Sequence, residues 1–278
     1  MRFIFSTGSL WSYSLERCFA FAERAGFDGI ELMVDARWDT RQPHYLHGLI
    51  RRHRQPVVAV HSPFSPFVPG WPEDEVGRLA KAVELAESLG AAVVVHHLPL
   101  KLDYVWMQVG TRYFPLPLPS RGRSGPYRRW LETEYGQFQA AGPVTLCIEN
   151  MPARRLFGWR QNAYHWNSPE QIARFPTITM DTTHLATWGL EPVEIYARLR
   201  ERVHHVHLSN FDGREHRRPG DGHLRLDALL ARMAADRYEG AISLELQPDV
   251  LDAGGTDEQV CARMAASLAF CRAAAGVA

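Results

Sequence analysis

The sequence predicts an α/β fold, a single (β/α)8 barrel over residues 1–278, and three observations carry that expectation. Apolar or β-branched runs alternate with helix-period segments from end to end, eight of each. No linker or shift in composition divides the 278 residues, a length that suits one large domain with a substantial core. The stretch after the first run, STGSLWS, is not the G-x-G-x-x-G phosphate loop expected of an open doubly wound sheet. Eight strand–helix units in sequence imply parallel strands, and that number closes naturally into a barrel.

Strands are expected at 2–6, 29–33, 57–61, 92–96, 144–149, 177–181, 203–208 and 241–246. Helices are expected at 12–25, 43–54, 73–89, 127–140, 169–175, 191–201, 226–236 and 256–274. The third helix is the clearest. Val76, Leu79, Ala80, Val83, Ala86 and Leu89 share one face, and Gly90 follows as a stop. In the fifth, Ser168 suits the N-cap, Pro169 the first helical position, and Gln171 the far side of a capping box. The long loops fall after strands four and five, at 98–126 and 150–167, the second holding Trp159, Tyr164 and Trp166. Both lie on the face where barrels carry their chemistry, so they could cover a pocket. Packing on the rim or on a second subunit is the alternative.

Composition narrows the partners. Lys plus Arg and Asp plus Glu both number 31, so no net charge argues for nucleic acid or a membrane surface. Cys18, Cys147, Cys261 and Cys271 form no C-x-x-C pair and read as buried thiols in a reducing compartment. No apolar stretch approaches the ~18 residues that span a bilayer. The apolar run of MRFIFSTGSL is too short for a signal peptide, so a cytoplasmic protein without membrane attachment is expected. Histidine is the compositional oddity, with 13 copies, many at strand ends.

Those strand ends carry the chemistry. Glu149 closes LCIE, Asp181 closes TMD, His207 lies in HVHLSN, and Glu245 lies in SLELQP. Alternation along each strand sends Cys147 and Glu149, Thr179 and Asp181, His205 and His207, and Ser243 and Glu245 to the barrel interior. The same parity places His61 with Ala59, and His96 with Val94. One lone polar residue at a strand end is ordinary. Several carboxylates and imidazoles aimed at one barrel mouth are not, because unpaired buried carboxylates cost several kcal/mol. Such a set suits a divalent transition metal.

At these residues the sequence resembles the xylose isomerase-like TIM-barrel superfamily of sugar isomerases and epimerases, which is related to endonuclease IV. The motifs are IEN at 148–150, DTTH at 181–184, HVHLSN at 205–210, PGDGH at 219–223 and LEL at 244–246, with Glu31 in GIEL at a typical place. The resemblance covers nearly the whole chain. It implies one divalent ion (manganese, cobalt, magnesium or zinc) held by Glu149, Asp181, His207 and Glu245. It also implies that Glu149 and Glu245 transfer a proton through a metal-bound enediolate of a sugar, a sugar phosphate or a related polyol ketone. His184 would steady substrate hydroxyls, and Glu31, Arg214 and Trp188 would be further substrate contacts.

One departure points toward endonuclease IV and another away from it. His216 stands where the epimerases commonly carry an arginine, and His61, His96, His184 and His216 match a larger ligand set for a second or third metal. Arg214, however, replaces the carboxylate expected two residues before His216. A phosphodiesterase acting on abasic DNA is therefore the second reading. The arginines at 112, 121, 123, 128 and 129 favour it, whereas the zero net charge opposes it. A metal- and sugar-binding relative without turnover is the third. A homo-oligomer stays open.

Overall fold

The computed structural model describes residues 1–65, 67–109, 112–119, 124–156 and 159–277. Among them, eight parallel strands close into a barrel in sequential order. They are β1 (Arg2–Ser6), β2 (Ile30–Met33), β3 (Val57–His61), β4 (Val93–His97), β5 (Thr145–Glu149), β6 (Ile178–Asp181), β7 (Val203–Leu208) and β8 (Ala241–Leu244). β1 pairs with both β2 and β8, so the barrel itself has no edge strand. The expected TIM barrel is present, with its long loops after β4 and β5.

The outer ring is formed by α1 (Leu15–Ala25), α2 (Pro43–His53), α3 (Glu75–Leu89), α4 (Ser124–Thr133), α5 (Tyr135–Ala141) and α6 (Pro169–Ile172). α7 (Thr182–Thr187), α8 (Pro192–Leu199), α9 (Leu226–Ala235) and α10 (Asp257–Ala275) complete it. Local chemistry explains several boundaries. Asp74 caps α3 by accepting from the Gly77 N–H, and Gly90 ends it in the left-handed region at φ 72°. Ser168 caps α6, although the helix is shorter than its sequence pattern suggests. Thr256 and Gln259 form a reciprocal capping box at the start of α10. The segment expected as one helix at 127–140 is broken into α4 and α5.

Two cores follow from strand alternation. Outward residues such as Phe3, Leu32, Val60, Val94, Ile148, Met180, Val206 and Ile242 pack under the helices. The interior is smaller and less oily, with Ile4, Val58, Ala59, Val93, Val95, Cys147 and Ala241. This corrects the reading of strand four. Val93 and Val95 point inward, so His97 shares their parity, while His96 follows Val94 to the other side.

The loop after β4 contains an antiparallel hairpin, Leu102–Val109 with Arg112–Pro119. The loop after β5 contains a short one, Arg154–Leu156 with Trp159–Gln161. Neither hairpin was expected from pattern. No helix among the described residues is long and apolar enough to cross a membrane.

Candidate metal centre

Three strand ends converge on the Nδ1 atom of His207, which lies near the end of a fourth. Glu245 Oε2 lies 3.0 Å from it, Glu149 Oε1 3.1 Å and Asp181 Oδ2 3.8 Å. Their carbon skeletons come from β5, β6 and the end of β8, so the arrangement exists only in the closed barrel. His207 and Asp181 are fully buried, Glu149 nearly so, and the Glu245 side chain is 19% exposed. Glu245 therefore forms the solvent-facing side of the ring.

The neighbouring loops hold these groups in place. Asn150, next to Glu149, donates from Nδ2 to the Asp181 carbonyl at 3.1 Å and accepts the Asp181 N–H at 2.8 Å. Asp181 in turn caps α7, its Oδ1 accepting the His184 N–H at 2.7 Å. That leaves Asp181 Oδ2 free to face His207; it is buried and has no hydrogen-bond partner among the described residues. Thr182 donates to the Ser209 carbonyl at 2.7 Å and ties α7 to the segment after β7.

Histidines flank the ring on two sides. On one, His61 Nε2 and His97 Nε2 lie 3.4 and 3.3 Å from Glu149 Oε2. On the other, His184 Nδ1 lies 3.3 Å from Glu149 Oε1 and 3.7 Å from Asp181 Oδ2, with the His216 ring 5.7 Å away. Three of the groupings that could hold an ion are thus Glu149–Asp181–His207, His61–His97–Glu149 and Asp181–His184–His216.

The electrostatics ask for positive charge. Burial would raise the Glu149 carboxyl, but His207, His184 and His61 outweigh it and hold the group well below the usual carboxylate range. Burial also raises Asp181, and there it prevails. Burial alone would discharge His207 and His184. The surrounding carboxylates override it, raising His207 well above its ordinary value and His184 to about 10. Imidazolium protons thus balance the ring where a divalent cation would otherwise do so. Burial depresses His97, which keeps a lone pair available as a ligand. The residues present fit a divalent cation: carboxylate and imidazole donors, an orphaned buried Asp181 oxygen, and too few fixed cations to neutralise them.

Other residues expected at the site are placed differently. His96 turns away; its Nδ1 meets the Ser62 hydroxyl and its ring lies edge-on to Tyr127. His97 takes the position against Glu149 that His96 was expected to hold. Two adjacent histidines in VVVHH made the parity ambiguous, and the start of β4 one residue later resolves it. Glu31 is fully buried beneath His207, with no surface for a substrate to touch. Arg214 is exposed and pairs with Asp212 at 3.3 Å, away from the ring. Trp188 is half-buried and donates from its indole to the Met151 carbonyl at 3.0 Å.

Glu215, between Arg214 and His216, lies 3.8 Å from His184 Nε2. His216 has the left-handed backbone (φ 59°), which turns its ring toward His184. PGDGH wraps around Asn210, whose amide donates to the Pro219 carbonyl at 2.7 Å and accepts from the Leu224 N–H at 3.0 Å. Arg128 and Arg129 are exposed on α4, Arg121 and Arg123 lie outside the described residues, and so does the Arg112 side chain. Phe64 is an exposed aromatic at the mouth, its ring stacked 6.1 Å from that of His97.

Comparison with known proteins agrees with this architecture. An uncharacterized protein of Mycobacterium leprae is 28% identical over 266 residues, covering 87% of each chain. The crystal structure of D-psicose 3-epimerase with D-tagatose from Clostridium cellulolyticum matches with a TM-score of 0.69, covering 99% of both chains at 14% identity. An AP endonuclease, family 2, from Brucella melitensis matches with a TM-score of 0.65, covering 96% of this chain and 99% of that one at 14% identity. At such identities the structures share the fold. The profile of one family spans residues 19–269, and on that match the chain belongs to the xylose isomerase-like TIM barrel family.

Proposed function

We propose that the protein is a divalent-metal-dependent isomerase or epimerase acting on a sugar, a sugar phosphate or a related polyol ketone. The observation that carries this reading is the set of three carboxylates from three strands facing His207 Nδ1. Glu149, Asp181, His207 and Glu245 would hold the ion. When bound, it would polarise a substrate carbonyl and acidify the adjacent C–H.

The chain's own residues do the rest. One of Glu149 and Glu245 removes the carbon-bound proton, leaving an enediolate. The other returns a proton to the opposite face, for epimerisation, or to the neighbouring carbon, for isomerisation, in which the hydroxyl proton also passes to the former carbonyl oxygen. The two carboxyls end each turnover with exchanged protonation states and must be reset through solvent. Glu245, 19% exposed, exchanges with it directly, and Glu149, 2% exposed, is reset by way of the Glu245 side of the ring. His184 is positioned to orient hydroxyls, since its Nδ1 is anchored to the Asn150 carbonyl at 2.8 Å. D-psicose 3-epimerase with D-tagatose, a structure of the same fold, supports the choice of sugar as substrate class.

The test is exchange of carbon-bound hydrogen with deuterated solvent across a panel of ketoses and ketose phosphates, in protein loaded with manganese or cobalt. Exchange is expected with one class of sugar, and Glu149→Gln and Glu245→Gln should each lower it by at least about 100-fold while sugar binding persists. Binding without exchange in the unaltered protein would instead identify a non-catalytic relative.

A second reading is favoured by the flanking histidines. With His61 and His97 on one side and His184, His216 and Glu215 on the other, the ring has donors for two further ions. An endonuclease IV-like phosphodiesterase would use such a cluster. Two or three zinc ions per chain, with cleavage of abasic DNA, would support it over the isomerase.

A further inference from the structure

Beneath the carboxylate ring the barrel holds a second polar layer. A barrel interior is normally filled by branched apolar side chains. Here Glu31, His205, Thr179, Ser6 and Ser243 are all fully buried. They come from five strands, and the sheet register makes neighbours of Ser6 and Glu31, and of Thr179 and His205. Alternation along β2, with Ile30 and Leu32 packed in the outer core, sends the Glu31 side chain into this layer.

One oxygen of Glu31 receives two imidazoles. His205 Nε2 lies 2.6 Å from Oε2, and His207 Nε2 lies 3.1 Å from the same atom. A carboxylate oxygen accepts, so both nitrogens must carry the hydrogen. For His207 the consequence is specific. With the proton fixed on Nε2, the neutral ring presents a lone pair at Nδ1, the atom that faces Glu149, Asp181 and Glu245. A carboxylate behind a ligating imidazole also raises its basicity and fixes its orientation. His205 bonds the same oxygen, its ring edge-on to that of His207 at 5.3 Å. It holds the carboxylate at the point where Oε2 can serve both rings.

Stability alone gives no reason for the layer. Glu31 Oε1, His205 Nδ1, Ser6 Oγ, Thr179 Oγ1 and Ser243 Oγ have no hydrogen-bond partner among the described residues. Each such buried group costs about 1–3 kcal/mol, whereas Val or Leu at these places would cost nothing of that kind.

We propose that Glu31 and His205 are positioning residues that lock His207 in the Nε2–H tautomer and thereby set how tightly the chain holds its divalent cation. The proposal rests on the reading of the ring as a cation site. It can be tested by titrating manganese into chelator-stripped protein and reading bound metal by electron paramagnetic resonance, with circular dichroism confirming the fold.

The unaltered chain should bind, Glu31→Gln should bind about 10- to 100-fold more weakly, and His205→Asn should shift in the same direction. Glu31→Asp, which keeps the acceptor, should recover part of the loss. A folded Glu31→Gln variant that binds manganese within twofold of the original overturns the positioning role and leaves the cation site standing. An unaltered chain that binds no divalent ion overturns both. Should Glu31→Gln fail to fold, histidine-labelled, cadmium-loaded native protein decides by nitrogen NMR. Cadmium on His207 Nδ1 with hydrogen on Nε2 supports the lock, and cadmium on Nε2 overturns it.

Discussion

His96 and His97 are adjacent in the chain, equally well suited to a metal, and sent to different environments by the pleat. His97 reaches Glu149, while His96 lies within the wall with Ser62 and Tyr127. Burial depresses His96 well below its ordinary value, helped by the charges of His97, Arg78 and His61. The folded protein therefore keeps it neutral where the unfolded chain protonates it. Its contribution is complete above the unfolded value near 6.5 and is lost as pH falls below that value, because the unfolded state then binds the extra proton. Between pH 7.5 and 5.5 this costs about 1.4 kcal/mol. Urea denaturation in chelator should show the native protein losing about that much more stability over this interval than His96→Gln. Equal losses would mean that His96 is hydrated in the folded state. Residue types at the strand ends were legible in the sequence because carboxylates and imidazoles are rare inside barrels. The choice between His96 and His97 was not, since it depends on a strand boundary one residue wide.

Elements turn those residues into a site. Asp181 ends β6 and also caps α7, with one oxygen for each task. Asp181→Asn keeps an acceptor for the cap and removes the charge, whereas Asp181→Ala removes both. In metal-free protein the Asn variant should be more stable than the Ala variant by about 1 kcal/mol, the usual value of an N-cap. Both should lose high-affinity manganese binding, read by titration. Equal stability would show that the cap contributes nothing.

The turn after β7 depends on a different fit. A Cβ at Gly222 would collide with Asn210 Oδ1 and stand 2.7 Å from the Phe211 carbonyl oxygen. Gly222→Ala should therefore cost about 1–3 kcal/mol in urea denaturation, and a loss below 0.5 kcal/mol (roughly that of an ordinary surface change) would show that the turn can move. Strand alternation made five of the six assigned parities readable in advance, strand four being the exception. α7 was not readable, because a six-residue helix carries too little periodicity and its cap is the same Asp181 that reads as a ligand.

At the scale of the molecule, the order of strands and their closure followed from the count of alternating units, while the hairpins in the loops after β4 and β5 did not. The hairpin strand Arg112–Pro119 carries Pro115, Pro117 and Pro119, which argue against a central strand. In a two-stranded ribbon every strand is an edge, so prolines at alternate positions can keep their missing N–H off the ladder. The barrel pays one cost for its site, the gathering of Glu31, Glu149, Asp181 and Glu245 around a single imidazole. If a divalent ion relieves that gathering, binding and folding must be linked.

At a concentration 100 times the dissociation constant the linkage is worth about 2.7 kcal/mol. For a chain of this size that corresponds to a melting temperature about 5 °C or more higher in manganese than in chelator. Asp181→Asn should melt at nearly the same temperature under both conditions. A native protein indifferent to manganese, cobalt, magnesium and zinc would sink the metal reading, since no cation that binds only the folded state can leave its stability unchanged.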